Sequence, residues 1–417
     1  MPESAPVPAA PTIPSSRRTG LSGANVVLGV SGGIAAYKAA DLASKLVQAG
    51  AAVHVAMTEG ATRFVQPLTF QALTHHPVFT SVFDGWDEGG RGHVTLAANA
   101  DVVVIAPATA NTIARLAIGV VDDMLGAICL ATTAPLVIAP AMEHHMWHHP
   151  ATQANVAMLR ERGAIIVEPE SGYLASGARG DGRLAAIERI LGETRRTLGR
   201  GGPLAGRRIV VSAGGTREAL DPVRYLGNRS SGAMGIAIAE AAMGRGADVT
   251  LIAGPTLGTH PSGMQVVPVE SAREMADAVA AAVVDADVLI MAAAVADFRP
   301  RTQASGKIKK QPGQESMQID LVRNPDIIAE TNRPGLIKIG FAAETDDLEA
   351  NARAKIVSKG LSMIVANDAV RTIGSAESEA MFLYPDRDAV RLPMMPKPAL
   401  AERIVDAVQD LTMGRDA

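Results

Sequence analysis

Val26-Val27-Leu28-Gly29-Val30-Ser31-Gly32-Gly33 decides the fold. An aliphatic run breaks into a glycine turn, an Ala-rich helical pattern follows, and the run Val53-His54-Val55-Ala56-Met57 comes next. Strand, turn, helix and strand in that order build a parallel sheet with crossover helices. The second half of the chain repeats the arrangement. Ile209-Val210-Val211-Ser212-Ala213-Gly214-Gly215-Thr216 leads to a helix opening at Gly232-Ala233-Met234-Gly235 and then to Asp248-Val249-Thr250-Leu251-Ile252-Ala253. Glycine lets backbone approach a ligand closely, and a helix N-terminus aims unpaired N–H groups at an anion. Two such turns predict two α/β domains, each holding a phosphorylated ligand beyond the carboxyl ends of its strands. Neither turn matches the dinucleotide fingerprint G-x-G-x-x-G, and only Glu59 stands near the end of the second strand as an acidic residue.

Working outward, Val/Ile-rich runs predict strands near 26–31, 52–57, 101–106, 135–139 and 164–168 in the first half. In the second half they fall near 208–213, 248–253, 265–269, 286–292, 336–341 and 361–366. The run Leu198-Gly199-Arg200-Gly201-Gly202-Pro203 reads as a linker. Domains are therefore expected at 21–198 and 207–417, joined by 199–206. Residues 1–20 are rich in Pro, Ala and Ser without an apolar core, which predicts a disordered tail and not a signal peptide. Pro300–Ser316, with Lys307-Ile308-Lys309-Lys310, lacks periodicity and reads as a flexible basic loop.

Only 20% of the 417 residues are charged and the net charge is −4, so no broad basic face for nucleic acid is expected. A lone Cys129 excludes an internal disulfide framework and fits a reducing, cytoplasmic setting. The uncharged stretch from Met124 to Met142 contains Pro135 and Pro140. It divides into a helix end and the buried strand Leu136-Val137-Ile138-Ala139 more naturally than it spans a membrane.

After the strand ending near Ala106 comes Pro107-Ala108-Thr109-Ala110-Asn111-Thr112, which puts Thr109 and Asn111 either at helix caps or at the ligand edge of the sheet. Gly-Val-Ser-Gly-Gly-Ile-Ala-Ala-Tyr-Lys, Gly-His-Val-Thr-Leu, Pro-Ala-Thr-Ala-Asn-Thr-Ile-Ala, Val-Asp-Asp-Met-Leu and Ala-Pro-Ala-Met-x-x-x-Met-Trp occur in this order. So arranged, residues 25–190 resemble the flavin-dependent cysteine decarboxylases, phosphopantothenoylcysteine decarboxylase in particular. The resemblance implies a flavodoxin-like fold, trimers and bound FMN. Its phosphate would lie on Ser31, Gly33 and a helix beginning at Ile34, with Thr58, Ala108, Thr109 and Asn111 around the rest. It further implies that the flavin oxidises the substrate thiol to a thioaldehyde, that the C=S is the electron sink for loss of CO₂, and that His93 is the base.

Two positions depart from that pattern. Glu143 stands where the family has an Asn that grips the substrate carboxylate. A like charge so close would favour a retained proton, letting Glu143 donate a hydrogen bond as the amide would; the alternative is that Glu143 points away and pairs with Arg or His across a subunit contact. The family's clamp here reads Ala175-Ser176-Gly177-Ala178-Arg179-Gly180-Asp181-Gly182-Arg183, with Ser176 in place of the proton-donating cysteine. Cys129 is expected to pack as a small hydrophobe instead of replacing it. His144/His148 and His145/His149 have the i, i+4 spacing of metal-chelating pairs, but no third ligand stands at a telling spacing, and an exposed His-rich helix is expected.

In the second half, Asn228-Arg229-Ser230-Ser231-Gly232 is a polar turn into a glycine-spaced helix, suited to phosphate. Ala292-Ala293-Ala294-Val295-Ala296-Asp297 leaves room for a base or ribose, with Asp297 able to hold a ribose, a base or Mg²⁺. Lys355 and Lys359, one helical turn apart, can face one anion. With Asp221-Pro222-Val223-Arg224-Tyr225, Asn324-Pro325-Asp326-Ile327 and Gly340-Phe341-Ala342-Ala343-Glu344-Thr345, these motifs resemble phosphopantothenate–cysteine ligase over about 206–410. The resemblance implies CTP bound by Ala292, Ala293, Asp297, Lys307, Pro325, Asp326, Ile327, Ile328, Phe341, Lys355 and Lys359. It implies an acyl-cytidylate stabilised by Asn228 with Arg224 beside it, a closing loop carrying Lys307, and Mg²⁺.

The whole chain thus resembles the bacterial bifunctional proteins of coenzyme A biosynthesis, an FMN domain followed by a Rossmann-like α/β ligase domain. Trimers of one domain joined by dimers of the other would close into a dodecamer. Two other readings stay open. A nicotinamide oxidoreductase lacks its G-x-G-x-x-G, and a regulatory flavoprotein with a degenerate decarboxylase site is suggested by Glu143 and Ser176.

Overall fold

The structure, a computed structural model, describes residues 20–84, 92–256, 260–309, 312, 315–344, 348–368 and 375–416. All of the expected tail but Gly20 lies outside them, as do Lys310 and Thr345.

The first sheet holds β1 (Asn25–Val30), β2 (Ala52–Met57), β3 (Val78–Phe79), β4 (Val102–Ala108), β5 (Leu136–Pro140) and β6 (Ile165–Ile166), parallel and in the order β3-β2-β1-β4-β5-β6. Setting aside the two-residue edge β3, this is the flavodoxin-like order. Continuous apolar runs form its strands because helices cover both faces. α1 (Ala36–Gln48) and, further on, α9 (Ile187–Gly199) bury Leu42, Leu46 and Ile190 on one side. Between β2 and β3 lie α2 (Glu59–Thr62) and α3 (Pro67–Thr74). On the other face pack α4 (His93–Asn99), α5 (Ala110–Ile118), α6 (Met124–Ala131) and α8 (Pro150–Glu161), which bury Leu96, Ile113, Ile128 and Leu159. The short α7 (His144–His148) and the antiparallel hairpin β7 (Glu170–Tyr173) and β8 (Arg179–Arg183) stand at the sheet's carboxyl edge.

The second sheet draws on β9 (Arg208–Ala213), β12 (Asp248–Ala253), β13 (Gln265–Pro268), β14 (Val288–Met291), β17 (Ile337–Glu344), β18 (Met363–Asp368), β19 (Glu377–Leu383) and β20 (Val390–Pro396). Their order is β13-β12-β9-β14-β17-β18-β19-β20. β10 (Arg217–Ala219) pairs with β11 (Tyr225–Gly227), and β15 (Phe298–Pro300) with β16 (Leu321–Arg323), as small antiparallel ribbons. α10 (Ala233–Gly244) and α14 (Lys397–Asp416) cover one face through Ile238, Leu400 and Ile404. α11 (Ala272–Ala282), α12 (Ile327–Glu330) and α13 (Leu348–Lys359) cover the other through Met275, Ile327 and Ile356.

All eleven expected strands are present, with ends displaced by up to three residues. The expectation of purely parallel sheets needs correcting at β19 and β20, which add antiparallel to the edge. Glu377, Glu379, Pro393 and Pro396 hide the strand pattern there, and an edge strand tolerates proline. Residues 199–206 are not a loose connector either. A Cβ on Gly199 or Gly202 would meet the Met243 or Arg245 carbonyl oxygen at 2.5 and 2.4 Å, and Leu204 is fully buried. These glycines serve close packing, and Arg195 pairs with Glu240 across the same contact. No described helix is long and apolar enough to cross a membrane.

Candidate functional site

A cleft of about 1380 Å³ opens beyond the carboxyl ends of β1, β2, β4 and β5, and Gly33, Ile34, Thr58, Thr109, Asn111, Glu143 and Ser176 all line it. α1 starts at Ala36 instead of Ile34, and it has neither a side-chain cap nor an acidic first turn, which leaves its N-terminus open to an anion. Thr58 and Thr109 act as caps and as wall at once, accepting from the Ala61 and Thr112 N–H groups at 3.3 Å each. Met124, Met142 and Met146 supply an apolar side, so the cleft joins an anion end to a flat, greasy one, as a flavin phosphate requires.

Two expected residues do not line the cleft. Ser31 is fully buried, and its hydroxyl donates to the Pro107 carbonyl (2.7 Å) and accepts from the Thr109 N–H (2.9 Å). Its hydrogen bonds hold the end of β1 to the end of β4 and the turn after it. Ala108, the last residue of β4, is fully buried as well.

His93 opens α4 and is also not among the cleft's lining residues. Its Nδ1 is buried and without a hydrogen-bond partner among the described residues. Glu143 caps α7, with one carboxylate oxygen accepting from the His145 N–H (2.7 Å) and the other 3.0 Å from His145 Nδ1. Burial acts to raise its pKa, but the hydrogen bonds from His145 outweigh it and hold the carboxyl below its ordinary range. Glu143 thus carries its carboxyl on the helix it caps, paired with His145.

Ser176 sits exposed at the tip of the β7–β8 hairpin. The hairpin is fastened at its base by the Met142 N–H donating to the Gly182 carbonyl (2.9 Å), so close that a Cβ on Gly182 would lie 2.3 Å from the Met142 carbonyl oxygen. Cys129 lies in α6 against the core, where burial, with Asp123 adding, pushes its thiol up to about 12. It is no substitute proton donor. Sequence reasoning missed Lys38, which lines the cleft; burial lowers its pKa, Arg183 lowers it further, and Glu170 opposes both.

The second cleft, about 930 Å³, opens beyond β9, β14 and β17. Ala292, Ala293, Asp297, Pro325, Asp326, Ile327, Ile328, Phe341, Lys355 and Lys359 line it, together with Asn228 and the N-terminus of α10. Buried hydroxyls set its floor: Ser212 accepts from the Ala293 N–H (3.1 Å) and Thr216 from the Ala296 N–H (2.9 Å). Asn228 donates to the Val295 carbonyl (3.0 Å). Asp326 caps α12 and pairs with Lys359 Nζ at 2.8 Å, so two residues expected on one nucleotide face each other.

Arg224 and Lys307 are not among the residues lining this cleft. Arg224 donates to Asp221 Oδ2 (2.6 Å) and to the Ile308 carbonyl (2.6 Å), while the Ile308 N–H donates to Asp221 (3.1 Å). Burial would raise the Asp221 pKa, yet Arg224 and the surrounding N–H groups hold it far below the carboxylate range. Asp221 thus clasps the segment that carries Lys307. Sequence reasoning also missed Lys338 on β17. It is 7% exposed and donates to the carbonyls of Ile328, Thr331 and Lys359 at 3.2, 3.1 and 2.7 Å. A single lysine in an aliphatic strand gives no signal of that role.

The family described as Flavoprotein matches residues 14–199, and the DNA/pantothenate metabolism flavoprotein C-terminal domain matches 204–411. The chain is 45% identical over 400 residues to the coenzyme A biosynthesis bifunctional protein CoaBC of Bacillus subtilis, covering 94% of this chain and 98% of that one. It is 46% identical over 409 residues to the protein of the same name from Mycobacterium tuberculosis, with 93% and 97% covered. A crystal structure of the C-terminal domain of a CoaBC protein shares 37% identity at a TM-score of 0.44, covering 52% of this chain and all of that one.

Proposed function

The chain belongs to the family of coenzyme A biosynthesis bifunctional proteins, and from that premise we propose how its two clefts divide the work. The enzyme is both a decarboxylase and a ligase. In the ligase cleft, phosphopantothenate attacks the α-phosphate of CTP to give an acyl-cytidylate and pyrophosphate, and the amine of cysteine then displaces CMP. Lys355 and Lys359 face the phosphates, Asp297 holds Mg²⁺, and Asn228 steadies the cytidylate from the loop it already grips. The Asp221–Arg224 clasp delivers Lys307 to the leaving pyrophosphate.

In the first cleft FMN supplies, when bound, the two-electron chemistry that makes loss of CO₂ easy. Gly33 and Ile34 hold its phosphate at the start of α1, with Thr58, Thr109 and Asn111 beside it. Glu143, ionised and committed to α7, takes no part in gripping the substrate carboxylate. Lys38 and Arg183 on the same wall offer the cations instead. His93 lies outside the cleft of its own chain, so it acts as base in the cleft of a neighbouring copy. The exposed apolar rim of Ile34, Tyr37 and Phe83 marks where that copy seats. Trimers through this half and dimers through the ligase half then close into a dodecamer.

One observation carries the reading: a single chain presents two clefts at strand carboxyl ends, each walled by one of the two motif sets. The test supplies phosphopantothenate, cysteine and CTP to the FMN-loaded protein and identifies products by mass. Phosphopantetheine, CMP and pyrophosphate are expected. Accumulated phosphopantothenoylcysteine would leave only the ligase; no CTP turnover would refute the ligase assignment, and no CO₂ release from supplied phosphopantothenoylcysteine would refute the decarboxylase.

A further inference from the structure

We propose that His144, His148 and Asp181 form a binding site for a borderline divalent metal ion, Zn²⁺ by preference, that staples the β7–β8 hairpin to α7. The two histidines are i, i+4 on α7, with ring centroids 4.5 Å apart. Asp181 comes from β8, a strand remote in sequence, and is the third ligand the helix alone does not supply. One candidate ligand atom from each residue lies within 4.8 Å of the other two. In a tetrahedral zinc site with bonds of about 2.1 Å, ligand atoms stand roughly 3.4 Å apart. His148 Nε2 and Asp181 Oδ2, hydrogen-bonded at 3.0 Å, need to part by only about 0.4 Å to reach that spacing, and bringing in His144 is a side-chain adjustment.

His144 Nδ1 accepts the Asp181 N–H at 3.1 Å, which holds its ring against β8 beside Asp181; an ion would take that lone pair in place of the N–H. His148 and Asp181 are half exposed, which leaves the ion a way in and a position for water. Two imidazoles and one carboxylate favour Zn²⁺, Co²⁺ or Ni²⁺ over Mg²⁺ or Ca²⁺. The consequence lies at the other end of the hairpin, where Ser176 rims the flavin cleft: a bound ion fixes the strand that carries that tip. The proposal does not depend on the decarboxylase assignment, because its test reads ion binding.

Full-length, FMN-loaded protein freed of metal by chelation and dialysis is titrated calorimetrically with ZnCl₂. One ion per chain is expected. His148→Ala and Asp181→Asn should each weaken binding by roughly tenfold or more, since even outer-shell partners act on that scale. His149→Ala, which removes a histidine outside the three-residue cluster, should leave binding unchanged. Flavin absorbance reports whether each variant keeps its cleft, and His148→Gln serves if the alanine variant does not. Zinc binding unaltered in His148→Ala and Asp181→Asn, or lost equally in His149→Ala, overturns the proposal.

Discussion

Replacing Lys338 with Met should loosen the nucleotide cleft although Lys338 itself does not line it. The ammonium ties the carboxyl ends of α12 and α13, through Ile328, Thr331 and Lys359, to the strand between them. Hydrogen bonds from a charged donor contribute about 1.5–3 kcal/mol each, and a methionine leaves three carbonyls short of a donor while removing the cost of burying the charge. The net loss should be about 2–4 kcal/mol. For a domain of this size that lowers the melting temperature of the ligase half by roughly 5–15 °C. α12 begins beside Asp326 and α13 carries Lys355 and Lys359, so a shift approaching 1 Å there should raise the KM for CTP about tenfold or more. Burial pushes the Lys338 pKa below the ordinary 10.5, with the charge of Asp326 opposing. Between that lowered value and 10.5 the unfolded chain binds more protons than the folded one, so this lysine's contribution to stability rises with pH across the window. Lys338→Met should abolish that rise. The assay pairs pyrophosphate release at varied CTP with decarboxylation of supplied phosphopantothenoylcysteine, which should be unchanged. A lower melting temperature with an unaltered KM for CTP would make Lys338 merely structural and refute the reasoning.

His93→Asn should leave ligation intact and lower CO₂ release by about 10²–10⁴-fold, the usual reach of a general base, so that phosphopantothenoylcysteine accumulates; normal phosphopantetheine output would remove His93 from the reaction. Asp221→Asn should free the Ile308 segment and slow ligation alone. Because the folded pKa of Asp221 is depressed, its contribution to stability is present above the unfolded value near 3.8 and lost as pH falls through the folded one, so the variant should unfold at a higher pH on acid titration. An unchanged acid midpoint would count against the clasp. Lys307→Gln should slow pyrophosphate formation, and unchanged release would leave that lysine a solvated residue. Ser176→Ala should still yield phosphopantetheine, since a hydroxyl is too weak an acid to be the obligatory donor; arrest at the enethiol would show the opposite.

Local pattern made the sheets legible because nearly every central strand is buried on both faces, and a run such as Val102–Ile105 has few other ways to fold. β19 escaped notice because Glu377 and Glu379 break its apolar run, and the edge strand β20 because it is largely exposed and interrupted by proline. Which residues line the clefts was largely legible too, since loops at strand carboxyl ends are fixed by topology. What each side chain does there was less so. Glu143 stood at a substrate-binding position in sequence, but a carboxylate one residue before a helix caps it, and that local bond set its direction. Asp181 joined His144 and His148 only through a hairpin register that sequence spacing does not reveal.

The glycine turns that announce the fold do the same job in both halves, and it is a job of framework. Ser31, at the end of β1, uses its hydroxyl to hold the turn after β4. Ser212, at the end of β9, uses its own to hold the turn after β14. β1 neighbours β4 as β9 neighbours β14, so the two hydroxyls occupy corresponding places in the two sheets. A buried hydroxyl that bridges two strand ends cannot be traded for a ligand contact without leaving a backbone group unpaired, at about 1–3 kcal/mol. The duplicated feature therefore fixes where each cleft opens and leaves its chemistry to what is not duplicated. That is Glu143, α7 and the β7–β8 hairpin in one half, and the Asp221–Arg224 clasp with the helices gathered by Lys338 in the other. Substitutions at Ser31 or Ser212 should accordingly impair folding and ligand binding together, whereas those at the unduplicated elements should separate decarboxylation from ligation.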